Sequence, residues 1–166
     1  MDATPVSDGP THRFAGVGNV LVSLHWGAPS TRALRDRVAW TEATIARHGA
    51  IGILVVVTAD AAGQLPDRAF RELSRAQADR WRDAILFSAS VIEGGGVSRA
   101  LIRTFLRGLA VVAGRGIDVR FFDSVPGGAA WAAERAAGHG GPSAEELLET
   151  VAALRARGVG AEPEGR

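Results

Sequence analysis

The chain has 166 residues, with 19 basic residues, all Arg, against 18 acidic ones and a formal net charge of +1. That length fits one domain with a core of its own, and the charge gives no electrostatic footprint for nucleic acid. With no Cys, disulfides, thiolate nucleophiles, iron-sulfur clusters and Cys-built zinc sites are excluded. With no Lys, a Schiff base, a pyridoxal phosphate anchor and a P-loop lysine are excluded too.

Residues 1–12 are polar, carry Pro5, Gly9 and Pro10, and read as a disordered arm. They lack the basic patch and apolar stretch of a secretory signal. Residues 13–137 then alternate apolar runs with amphipathic ones. The candidate central strands are 18–26, 51–60, 85–93 and 117–123, and 13–17 can add a short edge strand. Ser30 or Thr31 can cap a helix with Leu34, Val38, Thr41 and Ile45 on one face, closed by His48 and Gly49. A second helix is expected to turn Phe70, Leu73, Ala76 and Ala84 inward. The third, entered from Ser98, is the most apolar, with Leu101, Ile102, Phe105, Leu106, Leu109 and Val112. A helix through Ala129, Trp131 and Ala132 follows the last strand, and Trp131 is its only large group able to fill the space against the sheet. After a Gly-rich break at 138–142, Ser143 and Glu146 form a capping-box signature for a C-terminal helix with Leu147, Val151 and Leu154 inward. That helix, within 138–157, should pack on or beside the domain, and 158–166 should be a disordered tail.

Strand and helix in alternation indicate an α/β fold, a single domain with a mostly parallel sheet of four to five strands and four to five helices. The longest apolar stretch, around 50–59, is far short of the roughly 20 residues that cross a bilayer. A cytoplasmic chain with no membrane and no nucleic-acid partner is expected.

The element order, together with the ending Val119-Arg120-Phe121-Phe122-Asp123 followed by Ala130-Trp131, resembles the STAS superfamily in its SpoIIAA-like branch, over residues 14–137. The resemblance implies a bacterial, non-catalytic regulatory or protein-interaction module, of which anti-sigma-factor antagonists are the best-known members. Their phosphorylated serine lies in a D-S-S-G type motif. The corresponding string here is Asp60-Ala61-Ala62-Gly63, with alanine at both serine positions, so the switch is not carried over.

Ligands of open α/β sheets bind beyond the carboxyl ends of the strands. In a parallel sheet those ends bring His25, Asp60, Glu93 and Asp123 to one edge, a set that could bind a ligand or run acid/base chemistry. Of the four histidines, His12, His48 and His139 fall in the arm, a helix end and the Gly-rich break. No metal-ligand spacing such as H-x-x-x-H accompanies His25, so no metal, cofactor or catalytic residue is assigned. Gly94, Gly95, Gly96 and Ser98 join a strand to a helix and offer backbone amides for an anion. Arg99, Arg103 and Arg107 recur every four residues with no acidic residue between Glu93 and Asp118, and form a ridge suited to an acidic protein partner. A protein partner on that ridge, with a second copy of the chain also open, is the leading expectation. A small-ligand or anion site at the 94–98 turn is the alternative, and a small enzyme built on His25 and the strand-end acids a third.

Overall fold

The structure is a computed structural model that describes residues 2–61, 64–94, 100 and 117–157. Its centre is one sheet of six strands in the order β1-β2-β3-β4-β5-β6: Thr4–Asp8, His12–Val17, Val20–His25, Ile51–Val57, Ile85–Ile92 and Asp118–Phe122. The first three pair antiparallel, and β3 to β6 run parallel. The sheet is thus mixed and has six strands where four to five are expected from the sequence. The extra strand is β1. Residues Thr4–Asp8, within the segment expected as an arm, add to the edge of β2, and Val6 packs against the cluster of Phe14, Leu21 and Ala33.

Two short-range features set the register. Val17 pairs with Val20 across the two-residue loop Gly18-Asn19, and Gly18, at φ 55°, takes the left-handed position that a side chain would resist. Gly52 faces Phe87 across β4 and β5. A Cβ there would lie 2.2 Å from the phenyl ring, so only glycine lets the ring lie flat over the neighbouring strand.

Because side chains alternate along a strand, the sheet has two distinct faces. One presents Val22, Leu24, Leu54, Val56, Ala89 and Val91, all buried. It is covered by α4 (Val125–Ala136) and α5 (Ala144–Ala156). In α4, Ala129, Ala132 and Ala136 are fully buried, which brings the backbone close to the sheet. Trp131 fills the remaining space, its ring 5.5 Å from that of Phe87 and 5.6 Å from that of Phe122. The expected capping box opens α5, with Ser143 and Glu146 bonded reciprocally, and Leu147, Val151 and Leu154 are buried in the same core.

The opposite face carries α1 (Thr31–Asp36), α2 (Val38–His48) and α3 (Arg68–Arg80). The expected single helix after β3 is two, interrupted at Arg37, with Ser30 as its cap and Gly49 as its left-handed end. In α3 the inward face differs from the expected one. Ala76 is exposed and Gln77 is buried, for a reason that lies in a neighbouring helix.

Candidate functional site

Between α1–α3 and the sheet lies a cavity of about 190 Å³. Its floor can be laid out from strand register. Leu21, Ile53, Ser88 and Val119 form one row across four strands, and Ser23, Val55 and Ser90 form the next. His25, the last residue of β3, stands one row further towards the carboxyl ends. Three hydroxyls therefore project from strands that are otherwise apolar. Ser88 and Ser90 are about 7 Å apart along β5, and Ser23 stands about 10 Å from Ser90 across Val55. Ser23 and Ser90 are buried. All three line the cavity. A hydroxyl can both donate and accept, so such a cluster facing a cavity offers hydrogen bonds to a bound molecule.

Among the described residues the roof supplies one cation. Arg37, at the break between α1 and α2, lines the cavity with Ser74 and Trp81 of α3 and its end. Its Nε and Nη2 both donate to Gln77 Oε1, at 2.9 and 2.7 Å. Gln77 Nε2 in turn donates to the carbonyl of Leu34 at 2.7 Å. This explains the phase of α3: Gln77 can be buried because both ends of its amide are satisfied by α1 and the α1–α2 break. Burial lowers the Arg37 pKa to about 10, so the guanidinium keeps its charge at neutral pH. No carboxylate pairs with it among the described residues.

His25 has its pKa pushed down to about 3, by burial first and then by the charges of His12 and Arg37. It is a neutral imidazole at neutral pH, able to donate from one nitrogen and accept on the other. Across the β2–β3 ladder it faces His12, which is fully buried rather than part of an arm, with ring centroids 6.2 Å apart. Behind His12, Ser7 Oγ donates to Asp36 Oδ2 at 2.7 Å and lies 2.9 Å from His12 Nε2. The order is Asp, Ser, His. With the hydroxyl proton directed at Asp36, His12 is the donor to Ser7 and cannot be its base, so the chain is no nucleophilic triad. It ties β1 to α1 behind the cavity.

The strand-end set does not converge. Parallel pairing brings the ends of β3 to β6 to one edge as expected, but His25 turns to the α1–α3 face. Glu93 is instead ion-paired to Arg155 of α5, which covers the other face. Asp60 is exposed in the 3-10 turn Ala59–Ala61, and Asp123 is exposed after β6. Among the described residues no group of three or more His, Asp or Glu could hold a metal ion. Gly94 is a turn residue at φ 86°; Gly95, Gly96 and Ser98 lie outside the described residues, as do Arg99, Arg103 and Arg107.

Ser23, Ser88, Ser90, Arg37 and Gln77 are the residues that sequence reasoning missed. Their signal was available. Polar residues at strand positions 88 and 90, two apart in an apolar run, must share a face, and Phe70, Ser74, Gln77 and Trp81 follow one helical stripe. No helix of the described residues is long and apolar enough to cross a membrane. Comparison with models of known families, with curated proteins and with solved structures finds no match for this chain.

Proposed function

We propose that this chain is a non-catalytic binding domain that holds a small molecule between its sheet and α1–α3. The observation that carries the reading is the set of hydroxyls of Ser23, Ser88 and Ser90 on the cavity floor, polar groups that packing alone would have replaced by Val or Ala. Among the described residues no hydrogen-bonded nucleophile-base pair accompanies them. Binding is therefore the chemistry that the arrangement supports, in place of the turn at 94–98 or an enzyme at the strand ends. The STAS resemblance rests on the element order and on Val119-Arg120-Phe121-Phe122-Asp123 followed by Ala130-Trp131, of which Phe122 and Trp131 pack together here, and it adds the idea of a regulator whose signal is occupancy of the cavity. Docking of a protein on the Arg99, Arg103 and Arg107 ridge belongs to that same idea.

The test is to fill the cavity from its roof. Ala78 lines it from α3 and is half-buried, so Ala78→Leu adds side-chain volume where space exists. Fragment binding followed by amide chemical shifts should perturb Ser23, Val55 and Ser90 in the wild-type protein and be lost in Ala78→Leu, with the fold retained. Perturbations confined to other surfaces, or unchanged in the variant, would place ligand binding elsewhere.

A further inference from the structure

The cavity's size, lining and charge together narrow the ligand, and this inference rests on the binding reading above. A cavity of about 150 Å³ holds benzene, so about 190 Å³ takes a body of that size with a short polar head, on the order of ten non-hydrogen atoms. Nucleotides and other drug-sized ligands need about 300 Å³ or more. The lining is mainly apolar, with Ile53, Val55, Phe70 and Trp81 among its residues, and its described hydroxyls are those of Ser23, Ser88 and Ser90 on the floor and of Thr41 and Ser74 on the helices. A sugar, polar on every side, would leave most of its groups without partners. The ligand class that fits is an apolar body with one polar end.

Arg37 sets the sign of that end. It is the one cation among the described lining residues, and no Asp or Glu is among them. Its two bonds to Gln77 converge on a single neutral oxygen, which leaves Nη1 without a bond to any described residue and the charge uncompensated. A cationic ligand would be repelled. A phosphate dianion calls for more than one cation, whereas a carboxylate monoanion matches one guanidinium and a few hydroxyl donors in charge and in donor number.

We propose that the cavity binds a small amphipathic carboxylate, an aryl or short-chain acid of about ten non-hydrogen atoms, with its carboxylate at Arg37 and its apolar body against Ile53, Val55 and Trp81. The site is a receptor for the acid, with no bond made or broken.

Phenylacetate and phenylacetamide differ in charge but hardly in shape, and calorimetric titration of the full chain at neutral pH and low salt separates the two. Phenylacetate should bind at least ten-fold more tightly, and salt should weaken its binding alone. Arg37→Met, which keeps the apolar stem, should abolish the difference by weakening phenylacetate far more than phenylacetamide, and remove the salt dependence. Should that variant fail to fold, the wild-type preference and its salt dependence decide the matter. Equal binding of the two compounds in the wild-type protein would overturn the carboxylate assignment and leave the cavity as a site for neutral molecules. Absence of binding by either compound at millimolar concentration would overturn the carboxylate assignment, and failure of the whole fragment set at Ser23, Val55 and Ser90 would overturn the binding reading as well.

Discussion

Arg37 and Gln77, forty positions apart, are joined by two hydrogen bonds to one oxygen: Nε and Nη2 of the guanidinium both reach Oε1. The amide's other end holds the Leu34 carbonyl, so a single side chain of α3 fastens the junction of α1 and α2. Gln77→Leu keeps the volume and removes every one of these bonds, leaving a half-buried cation and a carbonyl without these partners. The expected cost is about 2 to 3 kcal/mol, read as a lower urea midpoint at unchanged m-value. A loss under about 0.5 kcal/mol would mean that water replaces the amide without penalty.

On the other face, Trp131 joins the sheet to α4. It lies against Phe87 and Phe122, is 7 % exposed, and has the guanidinium groups of Arg120 and Arg135 at 5.3 and 5.4 Å from its ring. The alanines around it cannot spread to fill the space that it leaves. Trp131→Ala should therefore cost roughly 3 to 5 kcal/mol, measured by denaturant unfolding. A cost below about 1 kcal/mol would contradict a core role.

The cross-strand pair His12 and His25 makes stability depend on pH. Burial is the main cause of both depressed pKa values; for His12 it outweighs Asp36 and Asp8, which act the other way, while Arg32 adds to it. Above about pH 6.5 the imidazoles are neutral in both the folded and the unfolded chain, and their contribution is constant. Below it the unfolded chain takes up protons that the folded chain refuses, so stability falls as pH falls, down to the His25 value of about 3. For His25 alone the loss between pH 7 and pH 5 should be about 2 kcal/mol. His25→Leu should flatten the profile over that interval. An equally steep profile in the variant would assign the acid sensitivity to other groups.

Much of the fold could be read from local pattern, and the reasons for the rest are physical. Ile53-Leu54-Val55-Val56-Val57 is an unbroken β-branched run, and it is a central strand. Ser143 and Glu146 form a cap from residues three apart, and Trp131 among alanines could only be a filler. The strand Thr4–Asp8 escaped because an exposed edge strand needs few apolar residues, and Val6 is all it offers to the core. His12 was assigned to an arm for the same reason. Ala76 and Gln77 exchanged places because periodicity counts alanine as inward and glutamine as outward, while the bonds that reverse this come from Arg37 and Leu34. The site was the least legible part. It is assembled from β3, β5, α1 and α3, and no single stretch of sequence holds more than two of its polar groups.

The central claim is that a small molecule sits inside the fold, between the sheet and α1–α3, and contacts from ligand protons to the protein test it most directly. With phenylacetate at saturation, intermolecular nuclear Overhauser effects should connect its ring protons to the methyl groups of Ile53 and Val55 and to the indole of Trp81. Contacts limited to residues on the outer surface, or none at saturation, would contradict it.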